Sequence, residues 1–140
     1  MNALLRFMRT GELGAAVPGT DYRDIVALWG EPDGIASEDP VFCLYGDVQL
    51  GFSAEGSLNH IAVEPDGDTA SVPGDGGTFS DERVPRLSEA LARLAEDGYG
   101  ATKCAPFVPD ETWWRIDRSG VVVADDPDDR LTAILRTLSA

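Results

Sequence analysis

Hydrophobic residues recur along this chain with two periods, one helical and one extended, and the switches between them predict its elements. Leu4, Leu5, Phe7 and Met8 crowd one side of a short helix over residues 2–9, which Gly11 and Gly14 end. After a VPGT turn at 17–20, Thr20 is the expected N-cap of a second helix over 21–29. Asp21 and Asp24 fall in its first turn, and Tyr22, Ile25 and Leu28 recur on one face before Gly30. The period then changes. VFCLY at 41–45 and DVQLGF at 47–52 read as antiparallel strands around Gly46, and AEGS at 54–57 turns the chain into a third strand, LNHIAVE at 58–64. In the middle strand Val48, Leu50 and Phe52 share one face, the mark of a half-buried sheet.

Residues 65–80 break both periods. Gly, Pro, Ser, Thr and Asp dominate, and six acids with no base run from Glu64 to Glu82, so the segment is expected to be an exposed linker or long loop. A helix follows over 84–97, with Pro85 near its first turn, Val84, Leu87, Leu91 and Leu94 on one face, Glu89 and Arg93 four apart, and Gly98 at its end. YGATKCAPFV at 99–108, TWWRID at 112–117 and GVVVA at 120–124 read as further strands.

A weak repeat joins the two halves. Val48, Leu50, Leu58 and Ile61 align with Val121, Val123, Leu131 and Ile134, each 73 residues further on, and each half has a helix ahead of its hairpin. The last segment sets two rules against each other. DDPDDRLTAILRTL has Asp126 as an N-cap, Pro127 at the first helical position and apolar residues at helical spacing. The repeat instead makes Arg130–Arg136 a strand, which gives GVVVA the neighbour it needs; a terminal helix is the alternative. The expected architecture is α+β, with short helices packed on antiparallel sheet in two helix-plus-hairpin halves. Residues 1–64 and 84–140 form the halves, 65–83 the acidic loop between them, and one domain holds both.

The segments TDYRDIVALWGEPD, LYGDVQLGF and AEGSLNHIAV resemble the short helix, glycine-proline turn and sheet of the BamE and beta-lactamase-inhibitor-protein superfamily. They are also similar to small actinobacterial proteins carrying a YGD-x-x-L-x-F pattern. The likeness covers residues 17–64 best and 84–136 as a degenerate second copy, with Trp29 where the pattern usually has leucine. It implies a module of tandem halves whose sheet presents a binding surface, as in inhibitors and small acidic immunity proteins.

Charge narrows the partners. Eleven basic residues against 25 acidic ones give a net charge of −14 in 140 residues. Such a surface repels duplex nucleic acid and attracts a basic protein, whose approach it accelerates at low salt. There is no run of about 18 apolar residues to cross a membrane and no secretory signal pattern at the start, so a cytoplasmic protein is expected. Cys43 and Cys104 are too few and too far apart to staple small loops, which suits a reducing compartment, although the sequence leaves open whether they pair.

Candidate chemistry is sparse, and no cofactor is expected. His60 is the sole histidine, which excludes a histidine-rich zinc centre and favours a structural or surface role. No G-x-S-x-G elbow is present, and VPGDGGTFS lacks the lysine of a phosphate loop. The aspartates at 66, 68, 125, 126, 128 and 129 lack the D-x-D-x-D-G order of a calcium loop. Glu55, Glu64, Asp110, Glu111 and Asp117 offer carboxylate pairs for a small hydrolase, but lie at turns where charge is expected anyway. Surface recognition remains. Trp113 and Trp114 are neighbours on a strand, so their side chains diverge: one packs in the core and the other faces a covering element or a partner. An exposed tryptophan with Asp110, Glu111 and Asp117 as rim charges would anchor a basic partner. The sequence thus points to a non-catalytic, acidic protein-binding module, of the immunity or inhibitor kind, with an interaction module lacking any inhibitory role as the alternative.

Overall fold

The computed structural model describes residues 3–38, 41–74, 77–105 and 111–137, and within them three helices and ten strands. In chain order these are α1 (Ala3–Thr10), α2 (Tyr22–Trp29), β1 (Gly34–Glu38), β2 (Val41–Tyr45), β3 (Val48–Phe52) and β4 (Leu58–Val63). They continue as β5 (Thr69–Pro73), β6 (Phe79–Arg83), α3 (Leu87–Glu96), β7 (Ala101–Cys104), β8 (Thr112–Ile116), β9 (Val122–Asp125) and β10 (Leu131–Thr137). The protein is α+β, with its short helices packed against an antiparallel sheet. None of the described helices is long and apolar enough to cross a membrane.

Eight strands form one sheet in the order β1-β2-β3-β4-β10-β9-β8-β7. It consists of two four-stranded meanders, each preceded by a helix, joined where β4 pairs antiparallel with β10. The join is symmetric. Ala62 and Leu135, 73 residues apart, face each other across it, so a local two-fold axis relating the halves passes through that pair. The hairpin turns repeat bond for bond. Ser53 donates its N–H to Ser57 O at 2.8 Å and Asp126 to Arg130 O at 3.0 Å; Gly56 donates to Ser53 O at 2.9 Å and Asp129 to Asp126 O at 3.0 Å. Each turn also receives the first helical N–H of its half, Tyr22 to Gly56 O at 2.9 Å and Leu87 to Asp129 O at 3.1 Å. The eight apolar residues of the sequence repeat are all buried.

One face of the sheet carries the core. Leu4, Phe7 and Met8 of α1, Ile25 of α2, and Leu87, Ala90 and Leu94 of α3 pack with Val48, Leu50, Ile61, Val63, Val123 and Ile134 into one cluster. Fully burying such side chains contributes roughly 1.5–3 kcal/mol each, which holds helices of eight to ten residues that would be marginal alone.

Several expectations are corrected. The acidic segment is not a plain loop: β5 and β6 pair as a hairpin from Thr69↔Arg83 to Pro73↔Phe79, and Ala70 and Val72 join the core. Its acids and polar groups are used locally, since Glu82 accepts from the N–H of Ala3 at 3.0 Å and Asp47 accepts from that of Ser71 at 2.6 Å. Asp21 rather than Thr20 caps α2. Its Oδ1 accepts from Arg23 N–H at 2.9 Å, while the Thr20 hydroxyl donates to Val17 O at 2.6 Å and is committed to the preceding turn. α3 starts at Leu87 rather than at 84, with Pro85 just ahead of it, and Glu89 pairs with Arg83 at 2.9 Å rather than with Arg93. β1 is an additional strand that the pattern did not announce. The contest at the C-terminal end resolves to strand β10, and the part of the 99–108 expectation beyond Ala105 lies outside the described residues.

Candidate functional site

The second face of the sheet is the one that no described helix covers, although Ala62, Ala124 and Trp113 on it are buried. Cross-strand pairing runs one continuous row over all eight strands: Gly34, Leu44, Gln49, Ala62, Leu135, Val122, Arg115 and Thr102. Residues directly opposite share a face, and alternation puts this row opposite the helix-covered core. The buried residues of α1, α2 and α3, with Ala70 and Val72 of the β5–β6 hairpin, belong to the cluster on the other side. Leu44 is 39% exposed, and Val122 and Leu135 are half-buried. Arg115 is the one charged side chain in the row, in a protein of net charge −14.

A second row lies beside it in each half. In the first half Phe42, Gly51, His60 and Thr137 pair in turn across β2, β3, β4 and β10. Gly51 makes room for an aromatic ring: a Cβ there would stand 2.7 Å from Phe42 Cε1 and 3.0 Å from the Cβ of His60. The Phe42 and His60 rings meet edge-on with centroids 5.8 Å apart, and His60 Nδ1 lies 2.7 Å from the Thr137 hydroxyl oxygen. Burial pushes the imidazole pKa down, against a smaller opposing effect of Glu64. In the second half the corresponding row is Cys104, Trp113, Ala124 and Ala133, again an aromatic beside a small residue.

The two tryptophans diverge as strand geometry requires. Trp114 is half-buried against the helix-side core, and Trp113 lies on the other face. Trp113 is only 5% exposed, so the free apolar surface of that face is carried by Leu44, Phe42, Val122 and Leu135 instead. Sequence reasoning missed these residues, although the alternation of β2 and β3 placed Leu44 and Gln49 away from the core. Glu111 accepts from the Thr132 hydroxyl at 2.8 Å, and Asp117 from that of Thr102 at 2.8 Å. They stand at opposite ends of β8, roughly 20 Å apart at about 3.3 Å per residue, and form no common pair. Asp110 lies outside the described residues.

Acids instead gather at the β2–β3 end of the open face. A cleft of about 210 Å³ there is lined by Leu44, Asp47, Val48, Gln49 and Glu64 around Gly46, with no basic residue. Among the described residues, no group of three or more His, Cys, Asp and Glu side chains is placed to hold a metal ion. Cys43 is fully buried, and desolvation pushes its thiol up to about 11. Comparison of the chain with protein-family models, with curated proteins and with solved structures returns no match.

Proposed function

We propose that this chain is a non-catalytic protein-binding module that docks a basic partner on the open face of its sheet. The observation that carries the reading is the eight-residue row itself. It is free of acids and half apolar, it lies uncovered by any described helix, and Asp47 and Glu64 flank it beside Gln49 and Ala62. Interfaces favour this anatomy, because charge is costly to desolvate at the centre and serves for steering at the rim. Of the roles open to such a module, neutralising a basic partner as an inhibitor or immunity protein is the one that the strong negative charge supports.

The test is capture from the native cell with crosslinking, comparing the wild type with Leu44→Asp and Leu135→Asp. Both variants should keep their far-ultraviolet spectrum and lose a basic partner that the wild type holds. Leu28→Asp, at a 57% exposed position on α2, should retain it. Retention of the partner by both face variants would place the interface elsewhere. A turnover activity abolished by Glu111→Gln would instead favour a hydrolase.

A further inference from the structure

On the far side of Gly46 from the open face lies a second cleft, of about 170 Å³, lined by Trp29, Tyr45 and Phe79 together with Glu31, Asp33 and Ser71. The Tyr45 and Phe79 rings are nearly parallel, 18° apart with centroids at 6.0 Å. Trp29 stands across both, at 84° and 88° with centroids 5.2 Å away. Three elements hold this corner. The end of α2 supplies Trp29, β2 supplies Tyr45, and β6 supplies Phe79. The Tyr45 hydroxyl donates to Gly30 O at 2.7 Å, which fixes its ring, and Asp33 Oδ2 accepts from Gly46 N–H at 2.7 Å. Both Glu31 and Asp33 are exposed, and no basic residue lines the cleft. Burial is the main cause that pushes the Tyr45 hydroxyl pKa up, and the fields of Glu31 and Asp33 add to it, so both carboxylates act on this corner.

We propose that this cleft binds an alkylammonium cation, with the half-buried Trp29 and Phe79 rings as its walls, the buried Tyr45 ring behind them, and Glu31 and Asp33 as its counter-charges. Aromatic faces attract a cation through their quadrupole, and a quaternary or lysine-type head sheds water more readily than a small metal ion does. At roughly 30 Å³ per water-sized heavy atom, the volume holds about five to six atoms, enough for the five heavy atoms of a tetramethylammonium ion. Glu31 and Asp33 share the cleft lining with the rings, and Asp33 already accepts from Gly46 N–H. That arrangement suits a large, weakly hydrated cation better than Ca²⁺ or Mg²⁺, which need several oxygens at close range. The site does not depend on the sheet-face reading, since Gly46 separates the two clefts and either can fail alone.

The experiment titrates the full chain with tetramethylammonium chloride at constant ionic strength and follows the Trp29 indole N–H resonance, assigned from a Trp29→Phe spectrum. A saturable shift is expected. It should weaken roughly threefold in Glu31→Gln, as removal of one exposed counter-charge predicts, and about fivefold in Phe79→Leu. Leu28→Ala should leave it unchanged. Choline and an acetylated trimethyllysine amide then separate the sources. Saturation by choline alone supports the chemistry with a free ligand, and saturation by the lysine derivative supports it with a side chain offered by a protein. Absence of a saturable shift with every one of these cations would overturn the proposal. So would an equal shift in sodium chloride, or unchanged affinity in the exposed-site variant Glu31→Gln, which keeps the test decisive if Phe79→Leu does not fold.

Discussion

Asp129 is the only non-glycine residue among those described with a left-handed backbone, at φ 65°. Its counterpart in the first half, Gly56, has φ 84° and meets the same turn without strain. Aspartate is kept at the strained position by what its side chain does. Oδ1 accepts from Ser88 N–H at 3.0 Å and Oδ2 from the Ser88 hydroxyl, so the carboxylate caps α3 from across the chain, where α2 is capped by its own Asp21. Asp129→Ala should therefore lose the cap and keep the strain, at a cost of about 1–2 kcal/mol. Asp129→Gly should lose the cap, shed the strain and fall between alanine and wild type in urea denaturation midpoint. His60 makes a second residue-scale prediction, set by its sign. Its folded-state pKa is depressed, so the unfolded chain takes up the proton first as the pH falls. Stability present above about pH 6.5 is then lost below it, until the folded imidazole protonates too. Glu89, held down chiefly by its bond from Arg83, and Asp21, held down chiefly by Arg23 N–H, contribute stability that is lost only below about pH 4.5. Denaturation midpoints at pH 7.5, 6.5 and 5.5 should therefore fall in the wild type and stay flatter in His60→Gln.

At the scale of elements, legibility followed the strength of the period. The strands around Gly46 and the helices carrying Ile25 and Leu94 were visible because each puts several large apolar residues on one face. β10 was ambiguous, since Leu131, Ile134, Leu135 and Leu138 fit a helix until β4 and β9 take up both edges of the strand. β1 escaped because Ile35 is its one large apolar residue, and that residue is 46% exposed at the sheet edge. The β5–β6 hairpin was hidden by its composition. Its turn and flanks are glycine, proline and acid, and Ala70, Val72 and the half-buried Phe79, beside the buried Pro73, are too few for a strand pattern. The open face was half legible, because alternation shows which residues turn away from the core but not that helices leave them uncovered. Because Val72 is buried in the core, Val72→Ala should cost about 2 kcal/mol, as for a buried side chain losing two methyl groups. A linker would leave the urea midpoint unchanged.

Across the whole molecule, the strand order sets distances that the sequence left open. Cys43 lies in β2 and Cys104 in β7, six inter-strand spacings apart, roughly 29 Å at about 4.8 Å each. They cannot bridge within one chain, whose disulfide would need Cα atoms within about 7 Å. A thiol reagent should thus modify Cys104 in the native protein and reach Cys43, fully buried with its thiol pushed up to about 11, only on unfolding. The net charge of −14 acts over the same scale. For the proposed basic partner this is an attractive field, and Asp47 and Glu64 are the acids that would draw it toward the open face. In the proposed reading the central row, carrying only Arg115 as a charge, holds that partner by apolar contact that salt does not screen. Rate and affinity should separate accordingly. Raising salt from about 0.05 to 0.5 M shortens the Debye length from roughly 14 Å to 4 Å. The association rate of the captured partner should fall by about tenfold or more, while its dissociation rate changes by less than about threefold. Asp47→Asn with Glu64→Gln should lower the association rate at low salt and leave dissociation alone, and Leu135→Ala should do the reverse. A dissociation rate that climbs with salt as steeply as association falls would mean that buried ion pairs, not the apolar row, hold the complex.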